Sequence, residues 1–240
     1  MSLPAQLTAS LQSTSFPLPS QTLISTLLAS HPQPTLPRLL AQTKSHLLTS
    51  NLTTPSLLDP SVPIFPAPLL SPETREARLP HDVPAQIVDI EDLSRSRWEQ
   101  VEELERIERG EMTKGRAVVR VDEQAAEGEE GEARTTQGGG GGAAVAKAKR
   151  NATHRVVLQD RSGRKVFGLE LTRMERLGIG VTRIGEKVVV RKGAVVARGS
   201  ILLEPATCTF LGGYIESEEK KWVGERLKVL REAVGATDAR

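Results

Sequence analysis

Cysteine occurs once in this chain, at Cys208, so no internal disulfide can form; set among strand-like residues, the thiol reads as an ordinary buried one in a reducing compartment. Aromatic residues make up 3% of the chain and hydrophobic residues 38%, too few to pack all 240 residues, so part of the chain is expected to lie outside any core. No stretch approaches the roughly 18 apolar residues of a membrane span, and the start has no charged region leading into an unbroken apolar one. The expectation is a soluble, intracellular protein with no membrane partner. Neither sign of charge is in excess: 32 basic against 30 acidic side chains leave +2, which gives no overall field to draw nucleic acid. The histidines His31, His46, His81 and His154 lie far apart, with no second ligand at metal spacing. Gly138 to Gly142 has no Gly-Lys-Ser/Thr continuation, and Gly178-Ile179-Gly180 opens no strand–helix unit, so neither is a phosphate loop. No Gly-x-Ser-x-Gly elbow is present and Cys208 has no histidine near it in sequence. An enzyme, a metal site and a cofactor are therefore not expected.

What the chain does have is a run of short strands from His154 to Gly213. The β-branched run His154–Asp160 is closed by Arg161-Ser162-Gly163-Arg164, and Lys165–Leu171 then alternates polar and apolar positions, which predicts a hairpin with a four-residue turn. After an irregular connector come Gly185–Arg191, Ala194–Ala197, Ser200–Glu204 and Cys208–Leu211. Short strands spaced by glycines favour a closed or nearly closed antiparallel barrel.

Residues 1–80 are rich in Ser, Thr, Pro and Leu. Short helices are predicted over Gln21–Ala29 and Thr35–Thr49, with Pro37 tolerated in the first turn, and about the first 18 residues are expected to be disordered. Trp98, Val101, Leu104 and Ile107 recur every third residue behind a Ser96–Glu99 capping box, predicting a short helix. Ser217 can cap a last helix, Glu218–Val234, whose stripe of Val223, Leu227, Leu230 and Val234 is expected to pack on the barrel. Between Arg109 and Asn151 the composition turns to acidic residues, Ala and Gly, with Lys147, Lys149 and Arg150 at the end. Such a segment buries too little to offset its ordering entropy and reads as a flexible insertion, 109–153, in a domain spanning 84–234.

The ordered motifs resemble the amino-terminal OB-fold domain of the RecQ-mediated genome instability protein family. They are Leu158-Gln159-Asp160-x-x-Gly163, Gly185-Glu186-Lys187, Gly199–Pro205 with its Leu202-Leu203-Glu204-Pro205, and Leu211-Gly212-Gly213; upstream, Val88–Trp98 is similar to the first strand of the fungal branch. The resemblance spans most of residues 84–234. It implies a mainly β fold: an OB barrel with a small N-terminal helical bundle, a long insertion loop and a C-terminal helix. It also implies a non-catalytic nuclear scaffold, a monomer within a hetero-complex. That scaffold would bind topoisomerase III and a RecQ-family helicase and promote strand passage in double Holliday junction dissolution. The chain ends after one barrel and a helix, so the second OB domain of longer relatives is expected to be missing.

On this reading the docking surface comprises Lys114, Arg116, Val118 and Arg120 in the basic, β-branched start of the insertion, together with Lys187, which matches the family's Gly-x-Lys at a strand entrance. The acidic and glycine-rich middle reads as a spacer. The competing reading is a single-stranded nucleic-acid-binding OB protein. Such proteins present aromatic platforms in a basic groove, whereas the central hairpin here offers only Phe167, with His154 at its end; Phe167 is expected in the core. Arg155, Arg161, Arg164, Lys165, Lys187, Arg191 and Lys192 would then hold phosphates, and DNA binding is expected to be weak. The position of the Phe167 ring discriminates: a buried ring counts against stacking.

Overall fold

The alternation that predicted the hairpin is present in the computed structural model, which describes residues 2–30, 35–110 and 152–235. In β3 (His154–Asp160) the residues His154, Val156, Leu158 and Asp160 point inward, and a four-residue turn leads into β4 (Lys165–Glu170), where Val166, Gly168 and Glu170 do so. These strands sit in an eight-stranded sheet with β1 (Ala77–Arg78), β2 (Val83–Asp92), β5 (Lys187–Val190), β6 (Val195–Ala197), β7 (Ser200–Leu203) and β8 (Cys208–Gly212). The order is β1-β6-β7-β4-β3-β2-β5-β8. The sheet curls into a half-barrel around one core containing Ile87, Val156, Leu158, Val188, Val190 and Ile201. Cys208 is in that core, where burial and the neighbouring Glu186 carboxylate push its thiol up to about 12.

The expected antiparallel barrel needs one correction. β4 and β7 run parallel, with Phe167 opposite Ser200 and Glu170 opposite Leu203. The connector after β4 carries the chain to the far side of β2, where β5 pairs, so the β6–β7 hairpin returns beside β4 in the same direction. Local turn signals report neighbours in sequence and cannot show this crossover.

The helices α1 (Leu3–Ser13), α2 (Gln21–Ala29) and α3 (Leu36–Thr49) form a small bundle. Disorder of the first residues is not what the structure shows. Pro4 lies in the first turn of α1, where its missing N–H costs nothing, and Leu7 and Leu11 are buried against Ile24 and Leu39. A second cluster, Leu47, Leu52, Leu57, Leu58 and Val62, continues the bundle toward the sheet. Phe65 and Leu79 already belong to the sheet's core, so its territory begins upstream of residue 84.

Helix α4 (Arg97–Glu108) has the predicted capping box, Ser96 and Glu99 bonding each other's backbone reciprocally. Trp98, placed on the apolar stripe by its spacing, is 54% exposed, because a three-residue repeat drifts around a 3.6-residue helix; Gln100 and Val101 are the buried residues. Helix α5 (Glu216–Ala233) starts earlier than predicted, with Ile215 at its N-cap. The Ile215 amide donates to the Ile184 carbonyl, and Glu219 accepts from the Ile184 amide at 2.5 Å, fixing the chain before Ser217 can act as cap. α5 packs on α4 and, through Trp222, on the sheet's core, and Val223 is exposed.

Candidate interaction site

Several of the motif residues that carry the family resemblance, among them Leu158, Asp160, Glu186, Lys187 and Leu203, are buried and structural. Lys187, expected at the surface, is 2% exposed. Its ammonium donates to the carbonyls of Gly185, at 2.5 Å, and Leu48, at 3.3 Å, in the last turn of α3, where the helix dipole favours a cation. Burial pulls its pKa down to about 8. Lys187 therefore ties α3 to the sheet and leaves the set of docking residues. A sequence cannot distinguish this from an exposed strand-end lysine, since both are Gly-x-Lys before a Val-rich strand.

Gly213 and Gly185 belong to the same junction. A Cβ on Gly213, whose φ is +76°, would lie 2.6 Å from the Leu48 Cβ, and one on Gly185 would lie 2.6 Å from the Ile215 amide nitrogen. Asp160 of the Leu-Gln-Asp motif is fully buried and accepts from Ser162, the Arg164 amide and, at 2.9 Å, the Phe65 amide, holding both the hairpin turn and the incoming chain. Gln86, also fully buried, donates to Asn51 at 2.8 Å and Gln159 at 3.0 Å and accepts from the Leu52 amide. These bonds weld the helical bundle to the sheet.

A second buried polar cluster closes the end of the sheet. Glu170 accepts from the His154 ring and amide at 2.8 and 3.0 Å, from Arg173 at 2.6 Å and from the Met174 amide at 2.7 Å. Burial raises this carboxyl, but the hydrogen bonds outweigh it and hold the pKa below its ordinary value. His154 is 2% exposed, so it is a clasp at the start of β3 and no stacking platform.

The outer face of the sheet is different. Phe167, expected in the core, is 47% exposed. Along β4 the inward positions are Gly168 and Glu170 while Phe167 and Leu169 point out, an inversion that the alternation alone cannot reveal. By register Val157 lies beside Phe167, and Leu169 sits between Arg155 and Leu202. Leu171, just beyond β4, is 57% exposed, so an apolar stripe crosses this face. The Arg155 guanidinium lies 4.9 Å from the Phe167 ring centre and bridges to Glu91 at 2.5 Å; Arg97 reaches Glu91 from the other side at 3.1 Å. Burial raises the Glu91 carboxyl, but these two arginines win and hold it low.

Beside the stripe, α5 walls a groove of about 600 Å³. A β-bulge at Val88 turns Asp89 outward, where it accepts from the Trp222 indole at 2.7 Å. Arg226 stacks 4.4 Å over Trp222 and donates to the Ile90 carbonyl and to Gln100. The groove is thus preformed, with Val157 and Phe167 on its floor and most of its charged groups paired within the chain. Apolar residues at outward strand positions, Val157 and Phe167, are the signal for it in the sequence.

The basic residues proposed to hold phosphates are mostly occupied. Arg161 donates to the Val62 and Pro60 carbonyls, Arg164 to the Phe65 carbonyl, Arg191 to Asp82, Thr209 and Ser15, and Arg155 to Glu91. Among the described residues the Lys165 and Lys192 side chains have no such partner, Lys192 bonding Asp82 through its backbone amide. Lys114, Arg116, Val118 and Arg120 lie outside the described residues. Among the described residues no group of His, Cys, Asp and Glu is arranged to hold a metal, and no helix is long and apolar enough to cross a membrane.

Comparison with known proteins agrees with this architecture. Residues 65–226 match the family described as "RMI1, N-terminal OB-fold domain", which identifies the curled sheet as an OB fold. The chain is also similar to RecQ-mediated genome instability protein 1 of Schizosaccharomyces pombe, 27% identical over 189 residues, covering 78% of this chain and 79% of the relative.

Proposed function

This chain belongs to the family of the RMI1 N-terminal OB-fold domain, and from that membership we propose that it is a non-catalytic genome-stability factor of a RecQ-related complex. In finer terms, it is a nuclear scaffold that binds topoisomerase III and a RecQ helicase and promotes strand passage during double Holliday junction dissolution. The observation that carries this reading is the family match over residues 65–226, which takes in the whole sheet, α4 and most of α5. An exposed apolar stripe beside a preformed groove suits a protein partner, because contiguous apolar surface is costly to leave in water. The start of the insertion, with Lys114, Arg116, Val118 and Arg120, is proposed as a further contact with the topoisomerase.

A scaffold acts on its partner only by binding one state of it better than another. The chain would bias strand passage by holding the topoisomerase in the state it docks best. Co-purification with the organism's topoisomerase III at modest salt, with stimulated decatenation, is the expected result. Failure of the two proteins to associate would remove the central support.

One observation favours a second reading, a single-strand-binding OB protein: the Phe167 ring is exposed and carries a guanidinium above it. Against it stand the carboxylates Asp89, Glu91 and Glu225 along the groove and the prior engagement of most nearby basic side chains. Binding of single-stranded DNA is expected at micromolar or weaker affinity and to fade with salt, each neutralised phosphate contributing a slope of about −0.7. Nanomolar, salt-resistant binding lost in a folded Phe167→Ala protein would favour this second reading.

A further inference from the structure

The groove along α5 has a shape and a chemistry that select among occupants. Its helical wall is formed by Trp222, Arg226, Val229, Leu230 and Ala233, an i, i+4, i+7, i+8, i+11 stripe running roughly 16 Å at 1.5 Å per residue. Its floor is the outer face of β2, β3 and β4, roughly 10 Å across three strands at ordinary spacing. That is the width of one α-helix.

The floor offers no backbone hydrogen bonds. β3 is paired on both sides, by β2 and β4, and β4 by β3 and, from Phe167 on, by β7; β2 is paired by β3 from Ala85 on and by β5 over Val83–Gln86, and beyond that α5 covers its second edge, with Arg226 donating to the Ile90 carbonyl. An added strand would find no free edge here, so an occupant must satisfy its own backbone, as a helix does. The side chains define its outer surface. Phe167, 47% exposed on the floor, and Val229, 56% exposed on the wall, supply apolar contacts on opposite sides. Of the charged groups, Asp89, Glu91, Arg97, Arg155 and Arg226 have partners within the chain. Lys165 on the floor and Glu225 on the wall have none among the described residues, so one charge of each sign is free.

Building on the scaffold reading, we propose that this groove receives one amphipathic α-helix from a protein partner. Its apolar seam lies between Phe167 and Val229, with an acidic side chain meeting Lys165 and a basic one meeting Glu225. The intramolecular ion pairs position the walls, and the two free charges set the direction in which the helix lies.

The test uses the full chain carrying the photo-cross-linker p-benzoylphenylalanine in place of Val229, mixed with purified topoisomerase III and RecQ helicase of the same organism. The expected result is a cross-link to one of them, within a segment whose apolar residues recur at helical spacing. In parallel, Phe167→Asp is expected to weaken the complex by on the order of tenfold or more with unchanged melting temperature, as at an apolar anchor, and Lys165→Glu/Glu225→Lys to weaken it several-fold. An intact complex with no cross-link and unchanged affinity overturns the groove and leaves the scaffold standing. Cross-linking to a segment without that spacing, to a second copy of this chain or to added single-stranded DNA overturns the helix as occupant. Absence of any complex overturns both.

Discussion

Where the helical bundle and the segment after it meet the sheet, polar groups are buried and partnered: Lys187 with two carbonyls, Gln86 with Asn51 and Gln159, Asp160 with three amides and the Ser162 hydroxyl. Along the groove of α5 the materials are reversed, with Phe167, Val229 and Leu171 exposed. The junction holds the Gly185-Glu186-Lys187 and Leu211-Gly212-Gly213 motifs, whereas the groove shares with the family pattern only the stretch from Val88 to Arg97. A motif of spaced glycines, carboxylates and a lysine marks where packing leaves no alternative residue. A surface that meets a partner needs only apolar area and a few charges, which many sequences supply.

The sharpest way to break the contrast is at Gly213. With φ at +76° and Leu48 so close, Gly213→Ala should cost about 2 to 5 kcal/mol from backbone strain and overpacking together. Urea denaturation measures this, and a loss under about 1 kcal/mol would show the junction to be loose.

Lys187 gives the next effect, and its sign follows from linkage. The lysine holds its proton up to about 10.5 when unfolded but only to about 8 when folded, so between those values the unfolded chain binds more protons. Stability contributed at this site should rise with pH across that window, by at most about 3 kcal/mol at 1.36 kcal/mol per unit. Cys208 opposes it at the alkaline end, because the unfolded thiol ionises near 9 while the folded one waits until about 12. Comparing wild type with Lys187→Met from pH 7 to 10 isolates the lysine. Parallel pH profiles for the two proteins would contradict its burial as a cation.

In the groove a substitution should scarcely touch stability. Phe167→Ala is expected to change unfolding free energy by less than about 1 kcal/mol, where a buried aromatic would cost about 3 to 5. A large loss in a melting experiment would put the ring back in the core. Smallest of all should be shortening residues 124–148, whose loop-closure entropy varies slowly with length; about 1 kcal/mol or less is expected. A collapse of the fold on that deletion would assign the segment a place in the packed structure.

Much of the fold was legible because it is written in local periodicity. The hairpin from His154, the Ser96–Glu99 box and the helices over 21–29 and 35–49 each depend on residues a few positions apart. The parallel β4–β7 pair was not legible, since nothing near Phe167 reports Ser200. The burial of Leu7 and Leu11 was missed for the same reason: their partners Ile24 and Leu39 lie in other helices. The candidate site was less legible still. Glu170 points inward because His154, Arg173 and the Met174 amide converge on it, and that convergence turns Phe167 outward. Trp222 and Val229 carry no signal as isolated residues, because their significance depends on the sheet face opposite.

The seclusion of Lys187 also makes it a clock. At 2% exposure the Lys187 amine is out of reach of acylating reagents while α3 is seated, and it meets them as an ordinary lysine only when the junction opens. Its modification rate therefore counts the openings in which the helical bundle lifts from the sheet, a local event that can be far more frequent than global unfolding. Followed by mass spectrometry in the free chain and in a complex, that single rate would report whether a partner held at the distant groove slows the breathing of the junction.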